Sequence, residues 1–288
     1  MNWRVLAICA SLLAVTDARP TEPGARLDLS NYKLTFEDRF AAIDVSAWGP
    51  GTRWIAHTPW NGDFGDAKFS DPGAGFPFTI DKGVLHIEAK KDAGMWRGGL
   101  LCSCDPEGKG FAQKYGYFEC RAKMPAGAGV WPAFWLASTP PEPEAGVDVR
   151  ANNSWDSWMK RFDAAKEADV EIDVIEFYGH DPASYNSTVT VWRPEPHHST
   201  MSQIFTKTNE VSDDFHNYGV MVDPDFITMY FDGVAVWKTR TPPEHQRPLM
   251  LLLNLALGSG WPIDKTPDPS YMDVKYVRAY AKNDAPTP

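Results

Sequence analysis

The stretch Glu171–Gly179, EIDVIEFYG, carries three acidic residues among β-branched and aromatic ones. Because side chains on a regular strand alternate between two faces, Glu171 and Asp173 share a face and Glu176 would point to the other. One extra residue, a β-bulge between Asp173 and Glu176, would return Glu176 to the face of the other two acids. The intervening Ile and Val side chains require a buried opposite face, so the stretch predicts a strand with one apolar and one acidic face rather than a fully solvated strand.

Similar strand-like runs recur on both sides of this stretch, with turn signals between them. Asp232-Gly233 is a hairpin signal, because a type I′ turn needs a positive φ at both central residues. Leu249–Leu257 is a continuous apolar run, as expected of a strand covered on both faces. The other predicted strands are 78–80, 84–90, 99–104, 115–123, 131–136, 170–177, 226–231, 234–238 and 274–281. Many short strands with few helices predict an all-β fold, an antiparallel β-sandwich.

The main interruption of this pattern is a helical or loop insertion at about 138–169. It opens with a proline-rich loop and continues as SWDSWMKRFDAAKE. Trp155, Trp158 and Phe162 fall near one helical face, after Ser154 as a candidate N-cap. This apolar stripe either packs against the sandwich or forms a wall of a cleft.

No linker of disordered composition divides the chain, so residues 33–282 are predicted to form one β-sandwich domain, with an N-terminal extension at 19–32 and a tail at 283–288. Residues 1–18 have the features of a secretory signal peptide: Arg4, an apolar run over 5–15, and Ala18 at a suitable cleavage point. The run is shorter than the about 20 residues of a membrane-spanning helix. The protein is therefore predicted to be secreted, extracellular or periplasmic, and to act as a monomer; a buried N-terminal strand is the alternative for 1–18.

Composition limits the classes of partner. The chain of 288 residues has a formal net charge of −10, which argues against nucleic acids and anionic membranes as partners. Its 12 Trp, 10 Tyr and 15 Phe residues indicate either a sugar-binding cleft or an unusually aromatic core.

The cysteines do not indicate a metal site. Without residues 1–18 the chain keeps Cys102, Cys104 and Cys120, an odd number, so at least one thiol is unpaired within the chain. A disulfide from Cys120 to one of the other two is left open. The spacing of Cys102 and Cys104 is not that of metal ligands when no histidine pair accompanies them.

Three carboxylates on one face would repel one another, which pushes their pKa values apart. Glycoside hydrolysis uses such a difference: one ionised carboxylate attacks the anomeric carbon, and one protonated acid donates to the leaving oxygen. A double displacement needs these two carboxyl groups about 5 to 5.5 Å apart. Glu171 and Glu176 are therefore the candidate pair, with Asp173 between them.

The stretch resembles the catalytic signature of glycoside hydrolase family 16 in its β-bulged form, Glu, aliphatic, Asp, aliphatic, aliphatic, Glu. Similar landmarks follow in family order: YGYFECRAKMPAGAGVWPAFWL (115–136), DFHNYGV (214–220), FDG (231–233), LLNLALGSGWP (252–262) and YVRAY (276–280). The resemblance implies a concanavalin-like β-jelly-roll sandwich of two antiparallel sheets with a concave substrate cleft. It also implies Glu171 as the nucleophile, Glu176 as the acid and then base, and Asp173 as the residue that tunes the nucleophile.

Six tryptophans are candidates for substrate binding, because the CH face of a pyranose packs well on an indole ring. Trp131 and Trp135 would share one face of the strand that precedes the acids, and core packing is the alternative for each. The full candidate set is Trp54, Trp60, Trp131, Trp135, Trp192 and Trp261.

The resemblance implies a polysaccharide partner, and a β-1,3- or mixed β-1,3-1,4-glucan is the predicted substrate of a retaining endo-hydrolase. The bulged motif also occurs in enzymes that act on galactans, so an agar- or carrageenan-type galactan and a transglycosylase are alternatives. A lectin-like carbohydrate-binding domain is the alternative outside the enzymes, although such a domain would not need a general acid at 176.

Two positions depart from the family pattern. The resemblance implies that many relatives bind a structural Ca²⁺ through an Asp just before the closing Tyr-Val-Arg, and this chain has Lys275 there. Because an ammonium group cannot ligate a cation, we expect no calcium at this site and no cofactor. Arg39, in FEDRF (36–40), stands where relatives usually have an acid, which affects a local charge pairing.

Overall fold

The computed structural model describes residues 24–283, whose strands stack as two sheets. The strands are β1 (Tyr32–Asp38), β2 (Val45–Ser46), β3 (Trp54–Ile55), β4 (Lys68–Phe69), β5 (Phe78–Asp81), β6 (Val84–Asp92), β7 (Met95–Gly98), β8 (Leu100–Cys102), β9 (Ala112–Gln113), β10 (Gly116–Lys123), β11 (Val130–Ser138), β12 (Asp169–Glu176), β13 (Ser184–Arg193), β14 (His198–Phe205), β15 (His216–Val222), β16 (Phe226–Phe231), β17 (Val234–Arg240), β18 (Leu249–Leu257) and β19 (Ser270–Lys282). The helices are α1 (Trp155–Ala165) and α2 (Glu210–Asp213). The predicted signal peptide at 1–18 and residues 284–288 of the predicted tail lie outside the described residues.

Ten strands form the back sheet and nine form the front sheet. The back sheet has the order β17-β16-β15-β10-β19-β6-β7-β4, with β1 beside β19 and β5 beside β6. The front sheet has the order β14-β13-β12-β11-β18-β8-β3-β2, with β9 beside β18. Neighbouring strands such as β10 and β19 are distant in the chain, as in a jelly roll. The predicted all-β sandwich is confirmed, and the acidic strand β12 lies third from the β14 edge of the front sheet.

The sheets are not purely antiparallel, which corrects the prediction at two short pairs. β2 pairs with β3 and β4 pairs with β7 in parallel. Both pairs lie at the ends of the strand order. The connection from β4 to β7 contains β5 and β6, so it is long enough for the crossover that parallel pairing needs.

Apolar side chains from the inner faces of both sheets form the main core. Strand β18 separates this core from a second apolar cluster on the outer face of the front sheet. Leu251 and Leu253 point into the main core, and Met250 and Leu252 point into the second cluster, all of them fully buried. The prediction that this run is covered on both faces is confirmed.

Helix α1 packs on the outer face of the front sheet. Trp158, Met159 and Phe162 are at most 2% exposed and belong to the second apolar cluster. Ser154 is the N-cap, since its hydroxyl accepts a hydrogen bond from the Ser157 amide at 3.2 Å. Trp155 is 36% exposed. Most of the helical stripe therefore packs against the sheet, and Trp155 stays at the surface.

Two arginines hold the proline-rich loop that precedes α1. Arg161 donates to the carbonyls of Pro106 and Pro141, each at 2.8 Å. Arg247 donates to the carbonyl of Pro140 at 2.8 Å and also pairs with Glu167. Prolines have no amide hydrogen to pair in a sheet, so side-chain donors satisfy the carbonyls that the loop leaves unpaired.

The three cysteines at 102, 104 and 120 are free and buried. Cys102 and Cys104 lie in the second cluster, whereas Cys120 lies in the main core on the back sheet. The disulfide left open by the sequence is therefore absent from the described residues. Burial raises the pKa of all three thiols, to about 12 for Cys104, which keeps them unreactive.

Candidate active site

Strand β12 carries the predicted β-bulge. Asp173 pairs with Thr188 and Glu176 pairs with Asn186 on β13, so two residues of β12 oppose the single residue Ser187. The two residues of the bulge, Val174 and Ile175, are both buried in the main core, at 2% and 0% exposure. Because two successive side chains point inward, the next one, Glu176, returns to the outer face with Glu171 and Asp173.

Ser187 stabilises this bulge from the neighbouring strand. Its hydroxyl donates to the carbonyl of Val174 at 2.7 Å, and its side chain is fully buried. A bulge leaves a backbone group outside the regular ladder, and a buried carbonyl without a donor is costly. Sequence reasoning missed Ser187, because nothing in the chain shows which residue of β13 faces the bulge.

Glu176 is held by two donors. The Trp131 indole nitrogen Nε1 donates to Glu176 Oε1 at 3.2 Å, and the Tyr178 hydroxyl donates to the same oxygen at 3.0 Å. Glu171 and Glu176 are partly exposed, whereas Asp173 is 7% exposed. The three acids therefore share one face of the sheet, and solvent reaches this face at Glu171 and Glu176.

The environment of this face raises the pKa values of all three acids. Burial raises the pKa of Glu171 and of Asp173, and the neighbouring carboxylates raise both values further. Burial also raises the pKa of Glu176, but the hydrogen bonds from Tyr178 and Trp131 lower it. Three adjacent carboxyls with little access to solvent cannot all be ionised at low cost, so the group holds at least one shared proton near neutral pH.

A fourth acid, Asp169, begins the same strand. It is 3% exposed, and its Oδ1 has no hydrogen-bond partner among the described residues. Burial raises the pKa of Asp169 to about 7, although the charge of Arg193 lowers it. Asp169 in turn adds to the burial effect that raises the pKa of Glu171. Sequence reasoning missed this residue, although its position two residues before Glu171 was a signal.

An aromatic series extends from Glu176 along one side of the face. Trp131 stacks on Tyr178 with ring centroids 6.0 Å apart, and Tyr178 lies 6.0 Å from His180. His180 stacks on Trp261 at 3.4 Å, and Trp261 is 46% exposed. Trp131 and Trp261, which the sequence predicts to bind sugar, both belong to this series, and that role stays a prediction. Tyr178 and His180, which connect them, were not predicted.

Three other tryptophan predictions are corrected by burial. Trp54 is 1% exposed in the main core, and its indole nitrogen donates to Asp38 at 2.8 Å. Trp60 and Trp135 are 7% and 5% exposed in the second apolar cluster. Trp60 is enclosed by Trp135, Trp155 and Trp158. None of the three presents a free ring face for a sugar, because other side chains already cover the indoles.

Trp192 lies on the other side of the acids. It is partly exposed on β13, and its ring contacts Trp155 at 5.8 Å and His197 at 5.4 Å. Trp155 comes from α1, so the helix supplies one exposed aromatic side chain next to the front sheet. Trp192 thus keeps its place among the predicted substrate-binding residues.

Lys275 stands where the sequence resemblance implies a calcium ligand in other members of the family. Its ammonium nitrogen lies 4.2 Å from the centre of the Phe215 ring, a cation–π contact. No cluster of three or more His, Cys, Asp or Glu side chains suited to a metal ion occurs within residues 24–283. Arg39, the other departure, pairs with Glu37 at 3.0 Å, and Glu37 also accepts from Arg278 at 2.8 Å.

Comparison with known proteins places this site in a sequence family. A family model described as glycosyl hydrolases family 16 matches residues 156–278. An endo-1,3-1,4-beta-glycanase of Rhizobium meliloti is 31% identical over 88% of this chain and 53% of that protein. A glucan endo-1,3-beta-glucosidase of Niallia circulans is 26% identical over 91% of this chain and 39% of that protein. The chain spans about half the length, or less, of these curated relatives.

A solved structure shows the same fold. The catalytic domain of an endo-1,3-beta-glucanase (laminarinase) from Thermotoga petrophila superimposes with a TM-score of 0.62 and 21% identity, over 88% of this chain and 99% of that chain. The bulged strand β12, with its three acids, lies inside the region that the family model matches. On the family match and the curated relatives, the chain belongs to glycosyl hydrolase family 16.

Proposed function

We propose that this protein is a retaining endo-glycoside hydrolase whose substrate is a β-1,3- or mixed β-1,3-1,4-glucan. The observation that carries the proposal is the β-bulge in β12, because it brings Glu171, Asp173 and Glu176 to one face. The names of the two curated relatives support the substrate class. A binding module without catalysis would have no use for three acids whose burial costs stability.

In the first step of the proposed reaction, the Glu171 carboxylate attacks the anomeric carbon of the sugar. Glu176 gives its proton to the glycosidic oxygen as the bond from the anomeric carbon to that oxygen breaks. The result is a glycosyl ester on Glu171 and a released chain with a new hydroxyl group. Burial and the charges of Glu176 and Glu171 hold the pKa of Asp173 well above its usual range, so Asp173 stays protonated and can donate to the nucleophile.

In the second step, water hydrolyses the glycosyl ester on Glu171. Esterification of Glu171 removes one negative charge beside Glu176, which lowers the pKa of Glu176. The donors Trp131 and Tyr178 act in the same direction. Glu176 can then accept a proton from the attacking water, and the ester bond breaks to return the Glu171 carboxylate. The anomeric configuration is retained because the carbon is inverted twice.

The proposal also includes export and a set of sugar-stacking residues. Residues 1–18 read as a signal peptide, and export suits an enzyme whose polymeric substrate lies outside the cell. The exposed Trp261 and the partly exposed Trp131 and Trp192 are the proposed sugar-stacking residues. No metal or other cofactor takes part in the proposed reaction.

The proposal is tested with a panel of laminarin, lichenan, agarose and κ-carrageenan, with detection of new reducing ends. We expect release from laminarin or lichenan, loss of release in Glu171→Gln, and an NMR time course in which the first product is the β-anomer. Release only from the galactans would overturn the substrate class. An initial α-product would overturn the double displacement.

Azide, which can replace a missing carboxylate, distinguishes the nucleophile Glu171 from the acid and base Glu176. With an activated β-glucoside, Glu171→Ala is expected to yield the α-glycosyl azide, because azide then attacks in place of the nucleophile. Glu176→Ala is expected to yield the β-azide, because azide then attacks the glycosyl ester in place of base-activated water. The reverse pairing of variants and products would exchange the roles of the two glutamates.

A further inference from the structure

A row of four polar side chains crosses the back sheet, on the opposite side of the sandwich from the acids. Lys123 on β10 pairs with Asp273 on β19, Asp273 pairs with His86 on β6, and His86 pairs with Thr79 on β5. Their chain neighbours, such as Ala122, point into the main core. The four side chains therefore lie side by side on the outer face, across three strand spacings or about 14 Å.

Asp273 orients the middle of this row. Its Oδ1 lies 2.7 Å from His86 Nδ1, and its Oδ2 lies 3.2 Å from Lys123 Nζ. The His86 and Asp273 side chains are 26% and 13% exposed, so the pair is fixed in position rather than spread in solvent. Asp273 contacts only one ring nitrogen of His86 and can accept only one of the three ammonium hydrogens of Lys123 through this contact. Nε2 of His86 and further hydrogens of Lys123 are left for another partner.

These residues form the floor of an open groove. The groove has a volume of about 590 Å³, which is within the usual range for small-molecule sites. Apolar walls come from Pro125, Ala126, Pro267 and Pro269. Tyr271 stands at the groove with 40% of its surface exposed, and its ring meets the His86 ring edge-on at 6.2 Å.

The chemistry of the groove indicates a neutral saccharide. One carboxylate between an ammonium and an imidazole leaves little net charge, which does not favour a strongly charged ligand. Sugar hydroxyls both donate and accept, and the row offers an ammonium, a carboxylate, an imidazole and a hydroxyl in sequence. The exposed Tyr271 ring adds an apolar surface with a polar tip, which suits the CH face of a pyranose.

We propose that this back-sheet groove is a second binding site for the glucan chain, separate from the acidic face. This inference rests on the proposed function, which supplies the ligand class. The groove would hold the enzyme on its polymer while the front sheet cleaves. Short soluble fragments that fill only the front face would not need it.

The test measures retention on an insoluble β-1,3-glucan, with every variant also carrying Glu171→Gln so that the polymer is not consumed. Tyr271→Ala is expected to weaken retention about three- to tenfold, through loss of the stacking surface. Thr79→Trp fills the groove without removing any other contact of the row and is expected to weaken retention similarly. Leu34→Ala is the matched control, since Leu34 is an exposed apolar residue of the back sheet outside the groove, 48% exposed, and is expected to bind as the parent does.

The second measurement is kcat/KM on laminarihexaose with an intact Glu171. We expect Tyr271→Ala and Thr79→Trp to match the wild type within about twofold, because stacking is lost only at the groove. Unchanged retention in both variants would overturn the inference, and so would an equal loss of retention and hexaose turnover. Release of the protein by inorganic phosphate, with no effect of Tyr271→Ala, would overturn it in favour of an anion site.

Failure of the proposed function gives a different result. In that case the wild type would release no reducing ends from any β-glucan, whatever residue stands at 271. A wild type that cleaves laminarin, together with unchanged retention in the groove variants, would leave the hydrolase in place and remove only the second site.

Discussion

The hydroxyl of Ser187 donates to the Val174 carbonyl at the point where β12 carries its extra residue. Ser187→Ala would leave that buried carbonyl without a donor, which we expect to cost about 1–3 kcal/mol of unfolding free energy. Because displacements of about 1 Å at a reacting group can cost about 100-fold in rate, kcat should fall more than KM rises. Chemical denaturation and steady-state kinetics on laminarin check both effects.

The control for this change is Ser202→Ala. Ser202 is the ladder partner of Ser187 on the edge strand β14 and is partly exposed. The Ser202→Ala substitution should leave the unfolding free energy and kcat close to the wild-type values. Equal effects of the two substitutions would show that the Ser187 hydroxyl has no special role at the bulge.

Asp169 makes stability depend on pH. Burial raises its pKa to about 7 in the folded chain, against about 3.9 in an unfolded chain. Between these values the folded state binds more protons, so the folded state loses stability as pH rises from about 4 to about 7. Asp169→Asn removes this loss, and the difference between the two pKa values sets an upper limit of about 4 kcal/mol on the gain.

Denaturation of Asp169→Asn at pH 5 and pH 8 measures this effect. The variant should gain more stability over the wild type at pH 8 than at pH 5, whereas the exposed Asp81→Asn should gain at neither. The same change removes a charge that helps to raise the pKa of Glu171, so the acidic limb of the pH–rate profile should move to lower pH. A gain at pH 5 equal to that at pH 8 would contradict a raised pKa at Asp169.

Helix α1 is an inserted element that depends on packing with the front sheet. Phe162 is fully buried in the second cluster, whereas Trp155 on the same helix is 36% exposed. Phe162→Ala should destabilise the protein by about 3–5 kcal/mol, the usual range for a large buried aromatic. Trp155→Ala should cost much less, as measured by chemical denaturation. Similar losses in both variants would mean that Phe162 is not buried between α1 and the front sheet.

The elements that the sequence predicted well are those with local signals. The bulge in β12 was predictable because two adjacent apolar residues, Val174 and Ile175, must both be buried in a half-buried strand. The bounds of β16 and β18 agree with the predicted runs. Asp232 and Gly233 have φ values of 48° and 73°, which confirms the turn between β16 and β17.

The burial of three tryptophans was not predicted, because it depends on partners distant in the chain. Trp54 lies on a two-residue strand, and its partner Asp38 is 16 residues away. Trp135 donates to Asn254 at a separation of 119 residues, and Trp60 is covered by α1. A sequence shows that an indole is present, but only tertiary packing decides whether its ring faces a ligand or other side chains.

The whole molecule is expected to unfold without dependence on calcium. Lys275 places an ammonium against Phe215, at the position where the sequence resemblance implies a calcium ligand, and an ammonium group cannot ligate a cation. The melting temperature should therefore be the same with EDTA as with added Ca²⁺. Differential scanning calorimetry in both buffers checks this, and a higher melting temperature with Ca²⁺ would show that other groups hold the ion.

Strand β18 joins the two hydrophobic regions of the molecule, since its alternate side chains enter the main core and the cluster beneath α1. A fluctuation that detaches this strand exposes side chains of both regions at the same time. The two regions should therefore open as one cooperative unit, and the amide hydrogens of β18 should exchange with solvent only through global unfolding.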